Sequence, residues 1–226
     1  MPRGIANHAT VQSNARRRGV KPSETLLDRS YHHAAMGKLQ DNVKRGRPDI
    51  VHFALMEALG TPLFLKGILR VYVHTVNDNL ISIASNLRIP KSYLRFEGLM
   101  VGLFRDRMVK SDDGAVLMEI SHGTLEDLIR AIKPSRVIGL STIGVQRNAE
   151  KVVTENLTDE CAFVVGGFPR GHFSESTTRL LNLTYSISDM GLEAHVVIAR
   201  IVYECEKLLE EGVYHEGYEK RRQVGT

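Results

Sequence analysis

Two arginines and a carboxylate crowd the stretch Arg45-Gly46-Arg47-Pro48-Asp49-Ile50-Val51-His52, at the start of an expected helix. Pro48 suits the first helical position, because its φ is fixed and its missing N–H would have had no acceptor there. Asp49 suits the positive end of the helix dipole. From Ile50 to Leu59 the residues are mostly apolar, and Gly60 supplies a stop before Thr61-Pro62. The pattern describes a buried helix with a charged mouth, either an ordinary cap with solvated arginines or the edge of a site. Arg88, Lys91 and Arg95 form a second basic group at i, i+3, i+7 spacing. If Pro90 opens a helix, they share one face about 10 Å long, enough for a few successive phosphates of a nucleic-acid strand. A solvated helix face is the alternative.

A third group lies later in the chain. Leu140-Ser141-Thr142-Ile143-Gly144, Gly166–Gly171 and Ser188-Asp189-Met190-Gly191 each follow an apolar run. In open parallel sheets, ligands sit at the carboxyl ends of the strands. The glycine spacing is neither a dinucleotide fingerprint nor a phosphate loop, so either a small-molecule pocket or three tight turns fits. His32, His33, His52 and His74 lack the i, i+4 spacing of a helical zinc site, and no metal is expected. No Ser/His/Asp or Cys/His signature stands out.

These groups need elements to position them. Leu26–Leu39 is read as a short element. Leu69–His74 and Leu80–Ile83 flank the turn residues Asn77-Asp78-Asn79 and read as a hairpin. After Pro90, the residues Tyr93, Phe96, Leu99, Met100, Leu103 and Phe104 recur at helical spacing and mark a buried side. Val109–Lys110 and Val116–Ile120 flank Ser111-Asp112-Asp113-Gly114 as a second hairpin. Thr124 and Asp127 resemble a capping pair for a helix running to Ile132. Arg136–Ser141, Cys161–Val165 and Leu180–Ile187 read as strands, with a polar helix over 145–156. A wide apolar stripe from Val196 to Leu209 marks a C-terminal helix. Continuous apolar strands alternating with helices point to an α/β fold with a buried parallel sheet, and the hairpins look like an insertion beside it.

The bulk numbers agree with a globular chain. It has 226 residues, 42% hydrophobic and 25% charged. The net charge is +4 and the pI is about 9.1, with basic clusters at Arg16-Arg17-Arg18 and Lys44-Arg45-Gly46-Arg47 that invite a polyanion, most often nucleic acid. The tail Lys220-Arg221-Arg222 reads as a solubilising surface. No apolar run approaches a membrane span and no secretory signal is visible, so a cytoplasmic location is expected. Cys161 and Cys205 are far apart and fit a reducing compartment.

Several stretches together resemble the ribosome-biogenesis methyltransferases that methylate N1 of a pseudouridine in small-subunit ribosomal RNA, a family of the SPOUT class. They are Leu27-Asp28-Arg29-Ser30-Tyr31-His32, the Arg45–His52 run, Arg88-Ile89-Pro90, Arg95-Phe96-Glu97-Gly98-Leu99-Met100 and Gly166-Gly167-Phe168-Pro169-Arg170-Gly171. The resemblance runs from about Ala15 to the C-terminal helix. It implies a single SPOUT domain with a β-rich extension over 61–122 and a trefoil-knotted, cofactor-binding region over 135–212. It also implies a homodimer, with ribosomal RNA and other assembly factors or ribosomal proteins as partners. S-adenosylmethionine would bind at Leu140 or Ser141, Gly166, Gly171 and the stretch Ile187, Ser188, Asp189, Met190, Gly191 and Leu192. Arg47, Asp49, Arg88, Lys91 and Arg95 match RNA-contacting positions, and Asp49 is the candidate base or target-base contact. Two departures stand out. Lys91 occupies a place where an arginine is common, and the apolar strand expected before Pro2-Arg3-Gly4-Ile5 is lacking. A non-catalytic RNA-binding assembly factor is the alternative function.

Overall fold

A computed structural model describes residues 1–158 and 160–210, so the tail at Lys220-Arg221-Arg222 lies outside the described residues. The N-terminal stretch, without clear periodicity in the sequence, holds helix α1 (Ala9–Arg17), capped by His8 Nδ1, which accepts from Thr10 N at 3.3 Å. Val11, Asn14 and Ala15 are buried there, a stripe too short to register as a repeat. Asp28 caps α2 (Arg29–Met36), accepting from Ser30 N at 2.8 Å. The next helices are α3 (Pro48–Leu59), with Pro48 at its first position, and the short α4 (Pro62–Leu65). Gly60 ends α3 in right-handed geometry, and Thr61 Oγ1 then caps α4.

Both expected hairpins form. Strands β1 (Tyr72–His74) and β2 (Asn79–Ile83) pair antiparallel around a turn in which Asp78 takes φ +53°. Helix α5 (Tyr93–Asp106) follows, then β3 (Met108–Lys110) and β4 (Val116–His122), giving a four-stranded antiparallel sheet ordered β1-β2-β4-β3. Leu55, Phe64, Ile81, Phe96, Leu103 and Met118 pack the core between this sheet, α3 and α5. Phe104 departs from expectation: it is 42% exposed, although it lies only one position from the buried Leu103. Helix α6 (Leu125–Ile132) carries the full capping box of Thr124 and Asp127.

The rest of the described chain builds a parallel sheet ordered β6-β5-β7 from β5 (Arg136–Gln146), β6 (Cys161–Val165) and β7 (Leu183–Ser186). Between them lie α7 (Ala149–Asn156) and the single turn α8 (Glu175–Thr178), and α9 (Ala194–Glu210) closes the described chain. Two readings are corrected. Strand β5 runs on past Ser141 to Gln146, so Leu140–Gly144 is not a free loop and the polar helix starts only at Ala149. The extension is possible because β5 slips register against β7 between Leu140 and Val145. At Gly144 a Cβ would lie 2.6 Å from the backbone of Thr184 and Tyr185, so the close approach requires glycine. A second core joins this sheet to α7 and α9 through Ile138, Val152, Val153, Tyr185, Ile201 and Cys205. Leu69 and Ile198 pack against both cores and join them. Burial pushes the Cys205 thiol up to about 12, which leaves it protonated and inert.

Candidate functional site

The charged mouth of α3 is built locally. Gly46 adopts φ +77°, and a Cβ there would press on Met36 Cε at 2.8 Å, so the turn into the helix needs a glycine. Its carbonyl accepts from Arg29 N at 2.7 Å, which ties the turn to α2. Arg47 is the N-cap residue but makes no side-chain cap; its guanidinium forks onto Asp49 instead. Nε donates to Oδ1 at 2.8 Å and Nη2 to Oδ2 at 2.7 Å. The Arg47 guanidinium, helped by backbone N–H groups of the first turn, holds the Asp49 carboxyl below its ordinary value. Asp49 is therefore an ionised acceptor at neutral pH and a weak base. The fork makes Asp49 a clamp on the Arg47 guanidinium.

The second basic group is arranged differently from its spacing. Helix α5 begins at Tyr93 with Ser92 as its cap, so Arg88 and Lys91 precede it and only Arg95 lies on it. The reason is tertiary. His52 Nε2 donates to the Pro90 carbonyl at 2.7 Å, which takes the oxygen that a helix beginning at Pro90 would need. The His52 ring stacks on Phe96, with centroids 4.4 Å apart and planes 18° from parallel. One turn beyond Asp49, His52 thus fixes the Arg88–Lys91 segment against α3. Arg88, Lys91 and Arg95 are all exposed, and none forms an ion pair with another described residue. Other basic residues are committed. Arg18 is paired with the buried Glu97, and Arg105 with Asp106 at 2.8 Å. Beside them the Tyr93 hydroxyl donates to Asp28 Oδ2 at 2.7 Å, and burial pushes that phenol far up.

The third group converges. A cavity of about 360 Å³ opens beyond the carboxyl ends of β6 and β7, against residues 140–142 in the middle of β5, a size within the usual range for small-molecule sites. Leu140, Ser141, Gly166, Gly171, Ile187, Ser188, Met190 and Leu192 line it; Asp189 and Gly191 share the loop but do not line it. Ser188 folds that loop, its carbonyl accepting from Ser186 Oγ at 2.7 Å and its own Oγ from Met190 N at 3.1 Å. Phe168 and Arg170, within the glycine-rich stretch but not named as binding residues, line the cavity too, together with His172, Phe173 and Tyr185, which the sequence reading did not name. For His172 and Phe173, closeness to the glycine-rich stretch was the available signal; Tyr185, on β7, had none. Phe173 meets Phe168 edge-on at 6.2 Å, and a Cβ on Gly166 would sit 2.8 Å from the Phe168 ring.

The α3 mouth and this cavity are neighbours. A larger cleft lined by Lys44, Arg45, Arg47, Pro48 and Val51 shares Val165, Gly166, Phe168 and Phe173 with it. Lys44 Nζ stands 5.1 Å over the Phe168 ring, and a Cβ on Gly167 would meet Val51 Cγ2 at 3.8 Å. Arg88, Lys91 and Arg95 line neither hollow and belong to the outer surface. The arrangement offers a small cavity with apolar walls and a few hydroxyls, a larger cleft beside it whose near edge carries Lys44, Arg45 and Arg47, and exposed cations beyond. Among the described residues no cluster of His, Cys, Asp or Glu could hold a metal, and no helix is long and apolar enough to cross a membrane.

Comparison with known proteins places this geometry. A family model described as EMG1/NEP1 methyltransferase matches residues 5–206. The ribosomal RNA small subunit methyltransferase Nep1 of Staphylothermus marinus is 38% identical over 208 residues, covering 92% of this chain and 90% of that protein. The corresponding Nep1 of Thermococcus kodakarensis is 42% identical over 212 residues, covering 92% and 93%. The crystal structure of Archaeoglobus fulgidus Nep1 bound to S-adenosylhomocysteine superposes with a TM-score of 0.79 at 35% identity, over 92% of this chain and 93% of that one. With its parallel sheet, its cavity at the strand ends and these matches over nearly its whole length, the chain belongs to the EMG1/NEP1 methyltransferase family.

Proposed function

We propose that this protein transfers a methyl group from S-adenosylmethionine to N1 of a pseudouridine in small-subunit ribosomal RNA. The observation that carries the reading is the shared wall at Gly166 and Phe168, which sets the small cavity against the cleft that Arg47 lines. Leu140, Ser141, Gly166, Gly171, Ile187, Ser188, Met190 and Leu192 would hold the donor. Asp189 and Gly191 would act only by shaping the loop. The cavity's size and mixed lining fit such a ligand. When bound, the donor supplies an electrophilic methyl group.

The protein's own task is then positioning and charge. The target base enters the larger cleft beside Phe168, extruded from its loop. Arg47, clamped by Asp49, faces the incoming RNA with its guanidinium fixed in orientation. Asp49 lines neither hollow and would act on the base through Arg47, whose guanidinium holds its carboxyl below the ordinary value; the N1 proton leaves to solvent. Arg88, Lys91 and Arg95 supply backbone affinity and carry no sequence choice. The same reading assigns a knotted cofactor region, a homodimer and a cytoplasmic site of action.

The test is methyl transfer from labelled S-adenosylmethionine to a short ribosomal RNA hairpin made once with uridine and once with pseudouridine. Label only in the pseudouridine RNA is the expected result. RNA binding without label in either hairpin would overturn it in favour of an assembly factor.

A further inference from the structure

The strand-end cavity is chemically lopsided. Leu140, Val165, Phe168, Tyr185, Ile187 and Val197 give it apolar walls. Ser141, Thr142, Arg170 and His172 line it too, and Ser141 Oγ lies 3.4 Å from His172 Nδ1. That proximity gathers polar groups where β5 faces the loop after Pro169. Among the described residues no Asp or Glu lines the cavity, and Arg170 is the only arginine or lysine that does. Gly171 at φ +92° turns the chain directly after it. Arg170 forms no ion pair with another described residue. Arg170 is exposed at the edge of the cavity with no carboxylate beside it, and its planar fork matches a carboxylate on a bound ligand.

We propose that Arg170 forms an anion subsite that takes the α-carboxylate at the amino-acid end of the methyl donor, leaving the adenosine end to the apolar walls. This rests on the reading of the cavity as the donor site. It adds a ligand-binding side chain that the glycine-rich pattern alone does not disclose. Because the loop also borders the RNA-side cleft at Phe168, a phosphate is the competing source of negative charge.

Calorimetry on the full chain separates these cases. The probes are S-adenosylhomocysteine and 5′-methylthioadenosine, which keeps the nucleoside and thioether but lacks the amino-acid carboxylate. Arg170→Ala should weaken S-adenosylhomocysteine about tenfold, the scale of one partly solvated charge-assisted pair, and leave 5′-methylthioadenosine within about twofold. Arg170→Lys should fall between, keeping the charge and losing the fork. Equal loss for both ligands would make Arg170 a structural residue and overturn the subsite. No loss for either, with weaker RNA binding, would assign Arg170 to a phosphate and overturn it as well. A wild-type protein that binds neither ligand would sink the donor-site reading itself, and the subsite with it.

Discussion

Asp49→Asn separates a clamp from a base. The Asp49 carboxylate meets Arg47 at 2.7 Å, with both side chains about a third exposed. Two unit charges at that distance interact by about 1.5 kcal/mol in water, which side-chain freedom and salt reduce to about 1 kcal/mol for an exposed pair. An asparagine keeps one acceptor oxygen and the shape but loses that attraction. If Asp49 orients Arg47, RNA affinity should fall about fivefold, the equivalent of 1 kcal/mol. The single-turnover rate at saturating RNA should change less than about tenfold. A lost general base would instead cost about 10²- to 10⁴-fold in rate with affinity unchanged. The pH profile gives a second reading. The folded-state pKa lies below the ordinary 3.8, so Asp49 stays ionised above that value and contributes no limb between pH 5 and 8. The stability from its pairing is present above the unfolded-state value and lost as pH falls through the depressed one. The assay is fluorescence anisotropy with a labelled hairpin beside single-turnover methyl transfer from pH 5 to 8. A hundredfold rate loss at saturating RNA, with affinity intact, would refute the clamp.

Arg88→Ala should weaken RNA binding and lower the slope of log affinity against log salt by about one, as expected for one lost phosphate contact. An unchanged slope would remove Arg88 from the RNA surface. His52→Ala removes both the bond to the Pro90 carbonyl and the stack on Phe96, and should cost about 3 kcal/mol in urea unfolding. It should also weaken RNA binding at temperatures where the variant is folded, because Arg88 and Lys91 lose their support; full affinity there would deny His52 a positioning role. Gly144→Ala drives a Cβ to within 2.6 Å of the β7 backbone and should lower stability by about 2 kcal/mol or more, read as a depressed melting temperature. A melting temperature equal to wild type would mean that the β5 register shift is not held by that approach.

Short-range chemistry wrote much of this protein into its sequence. The Pro48–Leu59 helix, the turn at Asp78 and the capping box of Thr124 and Asp127 each depend on groups within a few residues of one another. The same holds for the fork between Arg47 and Asp49, whose two residue types could be named though their bond could not. The parallel strands were legible because a buried sheet needs uninterrupted apolar runs. The site as a whole was not determined this way. His52 reaches the Pro90 carbonyl from 38 positions away, and that contact, not local spacing, decides that Arg88 and Lys91 stand outside α5. The run of β5 to Gln146 depends on how closely β7 packs against Gly144, and the exclusion of Asp189 and Gly191 from the cavity depends on the fold of the Ser188 loop. Only packing brings the exposed Arg170 to the edge of a cavity that no carboxylate among the described residues lines. Sequence spacing fixes which groups can meet along one element; which groups meet across elements is set by the packing of whole faces, and no local pattern encodes that.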